Sequence, residues 1–144
     1  MIQNLDLIGA LGNVVANADG AWINMAHCTA VSFVCYEDDG STIATLSEAT
    51  DAAGTGAIDL ARIDRVTKAP GTGGTWTEVA QTAAATYDNA DDTVNDAFVF
   101  TVRSSDLTDG FTHIRVAVDG GTVTAITHGL VHCTAADQAA NPVS

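Results

Sequence analysis

Hydrophobic positions in this chain recur mainly at every second residue, in short runs separated by Gly, Asp, Asn and Ser. Such alternation puts one row of side chains on a core and the next on solvent, the pattern of half-buried strands. It is plainest in residues 97–130, AFVFTVRSSDLTDGFTHIRVAVDGGTVTAITHGL. This stretch predicts strands over 97–103, 112–118 and 122–132, with turns carrying Asp109-Gly110 and Asp119-Gly120. Phe98, Phe100 and Val102 share one face of the first strand. Thr112, Ile114, Val116 and Val118 share one face of the second. Arg103, His113 and Arg115 fall on the opposite faces, where solvent or a neighbouring subunit would meet them.

Upstream, residues 29–36 (TAVSFVCY) are apolar in both phases and predict a central strand covered on both sides. Glu37-Asp38-Asp39-Gly40 predicts a hairpin turn, and residues 41–49 a returning strand in which Ile43 and Thr45 differ in phase from Thr42, Ala44 and Leu46. Residues 2–15 predict either a first strand or a helical turn followed by a strand around 12–15. Asn17-Ala18-Asp19-Gly20 reads as a turn, and 21–25 as a short strand. Residues 50–57 and 69–74 are loops. Residues 58–68 mix two periods, with a strand favoured over 61–67. Residues 75–80 form a short strand with Trp76, and the acid-rich 81–96 a long surface excursion. Turn signals about every ten residues, without a repeat or a linker, give an all-β, single-domain antiparallel β-sandwich over residues 1–144, jelly-roll or Ig-like. Residues 1–15 are its N-terminal arm, and the small polar residues 135–144 an extended or disordered C-terminal tail.

A chain of 144 residues with 47% hydrophobic content suffices to bury a core. Its 18 acidic and 5 basic residues give a net charge of −13, and all five cations lie between Arg62 and Arg115. No basic stripe exists to neutralise phosphates, so no nucleic-acid partner is expected. The acidic surface suits solubility at high concentration. No apolar run approaches the ~18 residues of a spanning helix, so no membrane partner is expected. The start of the chain lacks a positive n-region, and Asp6 interrupts its apolar run, so no signal peptide is expected. Cys28, Cys35 and Cys133 are odd in number and without CxxC spacing, which fits buried free thiols in a reducing compartment.

Motifs with chemistry are sparse. His27-Cys28, His132-Cys133 and His128 supply zinc-type ligands, but adjacent strand residues point to opposite faces, and His128 and His132 would stand ~13 Å apart. Two acidic runs, Glu37-Asp38-Asp39 and Asp88, Asp91, Asp92, Asp96, carry oxygen ligands suited to Ca²⁺, without the glycine and terminal Glu of an EF-hand. Gly71-Thr72-Gly73-Gly74 lacks the Lys-Ser/Thr of a phosphate cradle. No Gly-x-Ser-x-Gly elbow is present, and no Lys or Arg stands beside a thiol in sequence to activate it. No cofactor, metal or catalytic residue is therefore expected. Trp22 and Trp76 on one face would make a sugar-stacking platform; singly, each suits a core or an interface.

Two segments, NDAFVFTVRSSDLTDGFTHIRVAV at 95–118 and HCTAVSFVCYED at 27–38, resemble small virion proteins of tailed bacteriophages, the head decoration or cement proteins. The likeness lies in a hydrophobic strand, a Ser-Ser-Asp-Leu link, Asp-Gly-Phe and a His-Ile-Arg-Val strand, and covers residues 20–133. It implies a non-enzymatic protein of the capsid exterior, made in the host bacterial cytoplasm. Its partners would be the major capsid protein and further copies of itself, a trimer being one arrangement. Read with it, Arg103, His113 and Arg115 become expected partner contacts, and the apolar start with Ile2, Leu5 and Leu7 an arm laid on the shell. A phage tail or fibre module and a carbohydrate-binding domain are the alternative expectations.

Overall fold

The computed structural model describes residues 11–15 (backbone), 20–26, 28–37, 41–69, 74–89 and 97–129. The described residues form eleven strands: β1 (Leu11–Val15), β2 (Ile23–Asn24), β3 (Ala30–Tyr36), β4 (Thr42–Ala49), β5 (Ile58–Asp59), β6 (Ile63–Ala69), β7 (Thr77–Ala84), β8 (Thr86–Asn89), β9 (Ala97–Arg103), β10 (His113–Val118) and β11 (Thr122–His128). One 3₁₀ turn, Ser104–Asp106, follows β9. Six strands form one sheet in the order β1-β11-β3-β9-β6-β7. The other sheet runs β2-β10-β4-β5, with β8 also paired to β4. All pairings are antiparallel, and the molecule is an all-β sandwich.

The period-two rows build the core between the sheets. Val31, Phe33 and Cys35 of β3, Phe98, Phe100 and Val102 of β9, and Val123 and Ala125 of β11 are buried. Ala44 and Leu46 of β4 and Ile114, Val116 and Val118 of β10 face them from the second sheet and are equally buried. Phe33 and Phe100 meet at 5.5 Å between ring centroids. Tyr87 and Phe98 join the two sheets at 5.1 Å. Tilted rings at such spacing add ~1 kcal/mol beyond the area they bury.

The expected strands at 97–103 and 29–36 match β9 and β3 within a residue, and four expectations are corrected. First, β4 does not return against β3: the two lie in different sheets, and β4 pairs with β10. An apolar row on each of two consecutive strands is buried as well by facing across a sandwich as by pairing side by side, so the row alone does not choose. Second, residues 81–96 are not all surface excursion. β7 runs on to Ala84, and β8 pairs with β4. In β8, Tyr87 and Asn89 point inward while Thr86 and Asp88 are exposed. Of the four acids of this stretch, Asp88 belongs to that outer row, and Asp91, Asp92 and Asp96 lie outside the described residues.

Third, β3 is central in its sheet but covered on one side only; Ser32 and Val34 are partly exposed and Tyr36 is 52% exposed. Fourth, residues 11–15 are not part of a free arm, because β1 pairs with β11 of its own chain. Residues 1–10 and the expected tail, 135–144, lie outside the described residues.

Candidate functional site

The three expected partner contacts that lie among the described residues do not share a sheet. Arg103 stands exposed on the outer face of the six-stranded sheet, whereas His113 and Arg115 belong to β10 in the other sheet. Ile2, Leu5 and Leu7 lie outside the described residues.

His113 is corrected as a solvent-facing residue: it is only 9% exposed. It stands in register with Ala49 on one side and Asn24 on the other, and its Nδ1 lies 2.8 Å from Thr112 Oγ1. Desolvation pushes its pKa below the ordinary 6.5, and the Asp51 charge only partly offsets this. Arg115 is half-buried, and its guanidinium lies 4.8 Å from the centroid of the Trp22 ring. This cation–π contact with its own chain is worth about 1 kcal/mol.

The loop at 50–57 closes over the same ring. Asp51 Oδ1 accepts from the backbone N–H of Thr55 and of Ala53, and these bonds, Thr55 foremost, hold its carboxyl below the usual carboxylate range. Gly54, at φ +81°, sits so close to Trp22 that a Cβ there would stand 2.5 Å from the indole Nε1. Trp76 is 52% exposed just before β7, in the other sheet from β2, so the two tryptophans form no common platform.

The outer face of the six-stranded sheet holds the larger concentration of polar chemistry. Arg62, Arg65 and Arg103 line a groove of about 590 Å³ with Thr101, Asp64 and Asp106. Asp106 shapes its end: Oδ2 accepts the Arg103 backbone N–H at 2.9 Å, and its carbonyl accepts from Arg62 Nε at 3.2 Å. Arg65 pairs with Glu78 at 3.2 Å, both well exposed, a contact worth at most ~1 kcal/mol. β7 borders this face as the edge strand and has no partner on its outer side among the described residues. It carries neither Lys nor Pro, residues that commonly shield such edges.

Beside the groove, Ser32 Oγ lies 2.8 Å from His128 Nε2 and 2.7 Å from Thr101 Oγ1. The sequence reading missed this contact, which links positions 96 apart on three adjacent strands. Its only signal was parity: Ser32 and His128 are polar positions opposite buried rows. A nucleophile needs its base oriented by a third group, and among the described residues no carboxylate bonds the His128 ring. As arranged, the three side chains tie β11, β3 and β9 together.

Two carboxylates are buried among the described residues. Glu48 stands in the inward row of β4, 1% exposed, and its Oε2 accepts the Thr108 backbone N–H at 2.9 Å. Glu37, 3% exposed, accepts from Asn89 Nδ2 through Oε2 at 2.7 Å. Of the zinc-type ligands, Cys28 packs against Met25 and His128 bonds Ser32, while His27, His132 and Cys133 lie outside the described residues. Cys35 is fully buried, and burial pushes its thiol up to about 12. Compared with known proteins, the chain matches no family model, no curated protein and no solved structure.

Proposed function

We propose that this chain is a non-enzymatic structural protein of a tailed-phage particle, binding the capsid exterior as a decoration, or cement, protein. The observation that carries the reading is the outer face of the six-stranded sheet. Three of the five cations of a chain with net charge −13 line one groove there, beside a strand edge that has no partner among the described residues. Three arginines against Asp64 and Asp106 make this groove less acidic than the chain as a whole, which supports the approach of an acidic shell. The β7 edge, unpaired among the described residues, adds a second mode of attachment, main-chain pairing with a strand of the capsid protein or of a neighbouring copy. Many weak contacts of this kind, repeated across a lattice, stabilise it by avidity. The resemblance of residues 95–118 and 27–38 to decoration proteins supports the same reading.

The test is co-sedimentation of the purified chain with expanded heads of the encoding phage, followed by quantitative mass spectrometry. A fixed ratio to the major capsid protein, reduced about tenfold or more by Arg62→Ser with Arg103→Ser, is the expected outcome. Absence from heads, or recovery in tails alone, would overturn it. Arg115→Ser is the matched control, because that side chain is held by Trp22 on the other sheet.

A further inference from the structure

The β7 edge is locally neutral in a strongly acidic chain. β6 and β7 carry Arg65 and Lys68 against Asp64 and Glu78, two cations to two anions, whereas the whole chain has net charge −13. Like-charged copies can therefore approach each other here without the repulsion that the rest of the chain imposes. The pairing of β7 with β6 is regular from Thr77 to Ala80 and turns irregular only between Ala80 and Ala84. A bulge protects an edge by twisting it away, so the regular stretch before it stays open to a further strand. Trp76 stands 52% exposed at the start of that stretch, and Val79 is only partly buried against the core.

From these observations we infer that the β7 edge pairs with β7 of a second copy, antiparallel about a two-fold axis, so that one sheet runs through both. This commits the edge to one partner and rests on the reading of it above as a site of attachment. A two-fold contact is reciprocal, and charge and regularity select its register. Centred on Glu78, the pairing would set two carboxylates face to face; centred on Ala80, it would run into the irregular stretch. Centred on Val79, it sets Val79 against its own counterpart and Glu78 against Ala80 of the second copy. Ala80 lies opposite Arg65 of β6. Arg65, Ala80 and Glu78 of the second copy then follow one another across three strands on one face. Ala80 offers only a methyl group, so the Arg65 side chain, 72% exposed, can reach over it to the incoming carboxylate. Each copy gives and receives this contact, and the same register brings the second copy alongside both exposed Trp76 rings. An axis normal to the sheet leaves both arginine grooves facing the same way.

Sedimentation velocity of the purified chain in 150 mM NaCl tests this, with hydrogen exchange of the 77–81 amides read at both ends of the concentration series. So short an edge contact is weak, and the expected result is a monomer–dimer equilibrium that shifts toward dimer between about 5 and 500 µM. The 77–81 amides should gain protection as it does. Ala80→Glu sets a carboxylate opposite Glu78 of the second copy at both pairs and should weaken the dimer about tenfold or more. Adding Glu78→Lys to Ala80→Glu makes both pairs opposite in charge and should restore it. Ile58→Glu adds the same charge on β5 of the other sheet and should leave the dimer intact. A chain monomeric throughout, a trimer, loss of dimer with Ile58→Glu as large as with Ala80→Glu, or no recovery in the double variant would each overturn the pairing. Protection of 77–81 that does not depend on concentration would also overturn it, by assigning the edge to another segment of the same chain. Should Ala80→Glu fail to fold, the parent's concentration-dependent protection still decides. No phage heads enter this assay, so a dimer that does not bind heads overturns only the capsid reading, and a monomer that binds them overturns only the dimer.

Discussion

At the scale of single residues, what a side chain touches decides more than where parity sends it. His113 does point away from the core, as its alternation demands, yet it ends buried between Asn24 and Ala49 of the neighbouring strands, near enough to Asp51 to feel its charge. A histidine held neutral by burial couples folding to pH. Its pKa is depressed in the folded state, so the unfolded chain binds the proton more readily. The stability due to neutral His113 is therefore complete above about 6.5 and falls as pH drops below that value toward the folded pKa. Urea denaturation between pH 7.5 and 5.5 should show stability decreasing on the acid side, and His113→Asn should flatten that part of the profile. Asp51 also has a lowered pKa, but its contribution is lost only below about 3.8, well outside this window. The sequence could not show the burial of His113, because the cover comes from residues distant in the chain. It could not show the Ser32–His128 contact or the meeting of Glu37 with Asn89 for the same reason: strand pairing, not spacing, makes them.

At the scale of elements, strands with a clean two-residue period were legible almost to the residue. β9 is Ala97–Arg103 as its Phe98, Phe100 and Val102 row requires, and β10 differs from expectation only at Thr112. β8 was hidden because its outer row is polar, and the partnership of β4 because an inward row does not name its neighbour. The 50–57 loop was read as a loop, but not as a lid on Trp22, since that role depends on β2 lying beside β10. Gly54 is the point at which loop and strand depend on each other. Alanine there would meet both a disfavoured φ of +81° and the indole ring. Gly54→Ala should cost about 1–3 kcal/mol in denaturant unfolding and shift Trp22 emission to the red as the ring is displaced.

At the scale of the whole molecule, an all-β sandwich follows from the alternation, and the burial of twenty core residues in one cluster follows from the opposed rows. The acidic balance, read from the sequence as a solvated surface, gains direction in three dimensions, with Arg62, Arg65 and Arg103 gathered on one face and Arg115 held apart by Trp22 on the other. The order of pairing has a further consequence. β1 waits for β11, β2 for β10, β3 for β9 and β11, and the long β4 ladder for β10. Pairings between the two ends of a chain make for slow folding, on the millisecond-to-second scale, and stopped-flow refolding should fall in that range. A nascent chain stopped at Gly121 would hold β1 and β3 with no β11 between them. Such a chain should be digested by protease under conditions that spare the full one. Among the described strands, the sandwich thus closes late: β11, the furthest along the chain, is the one that ties β1 to β3.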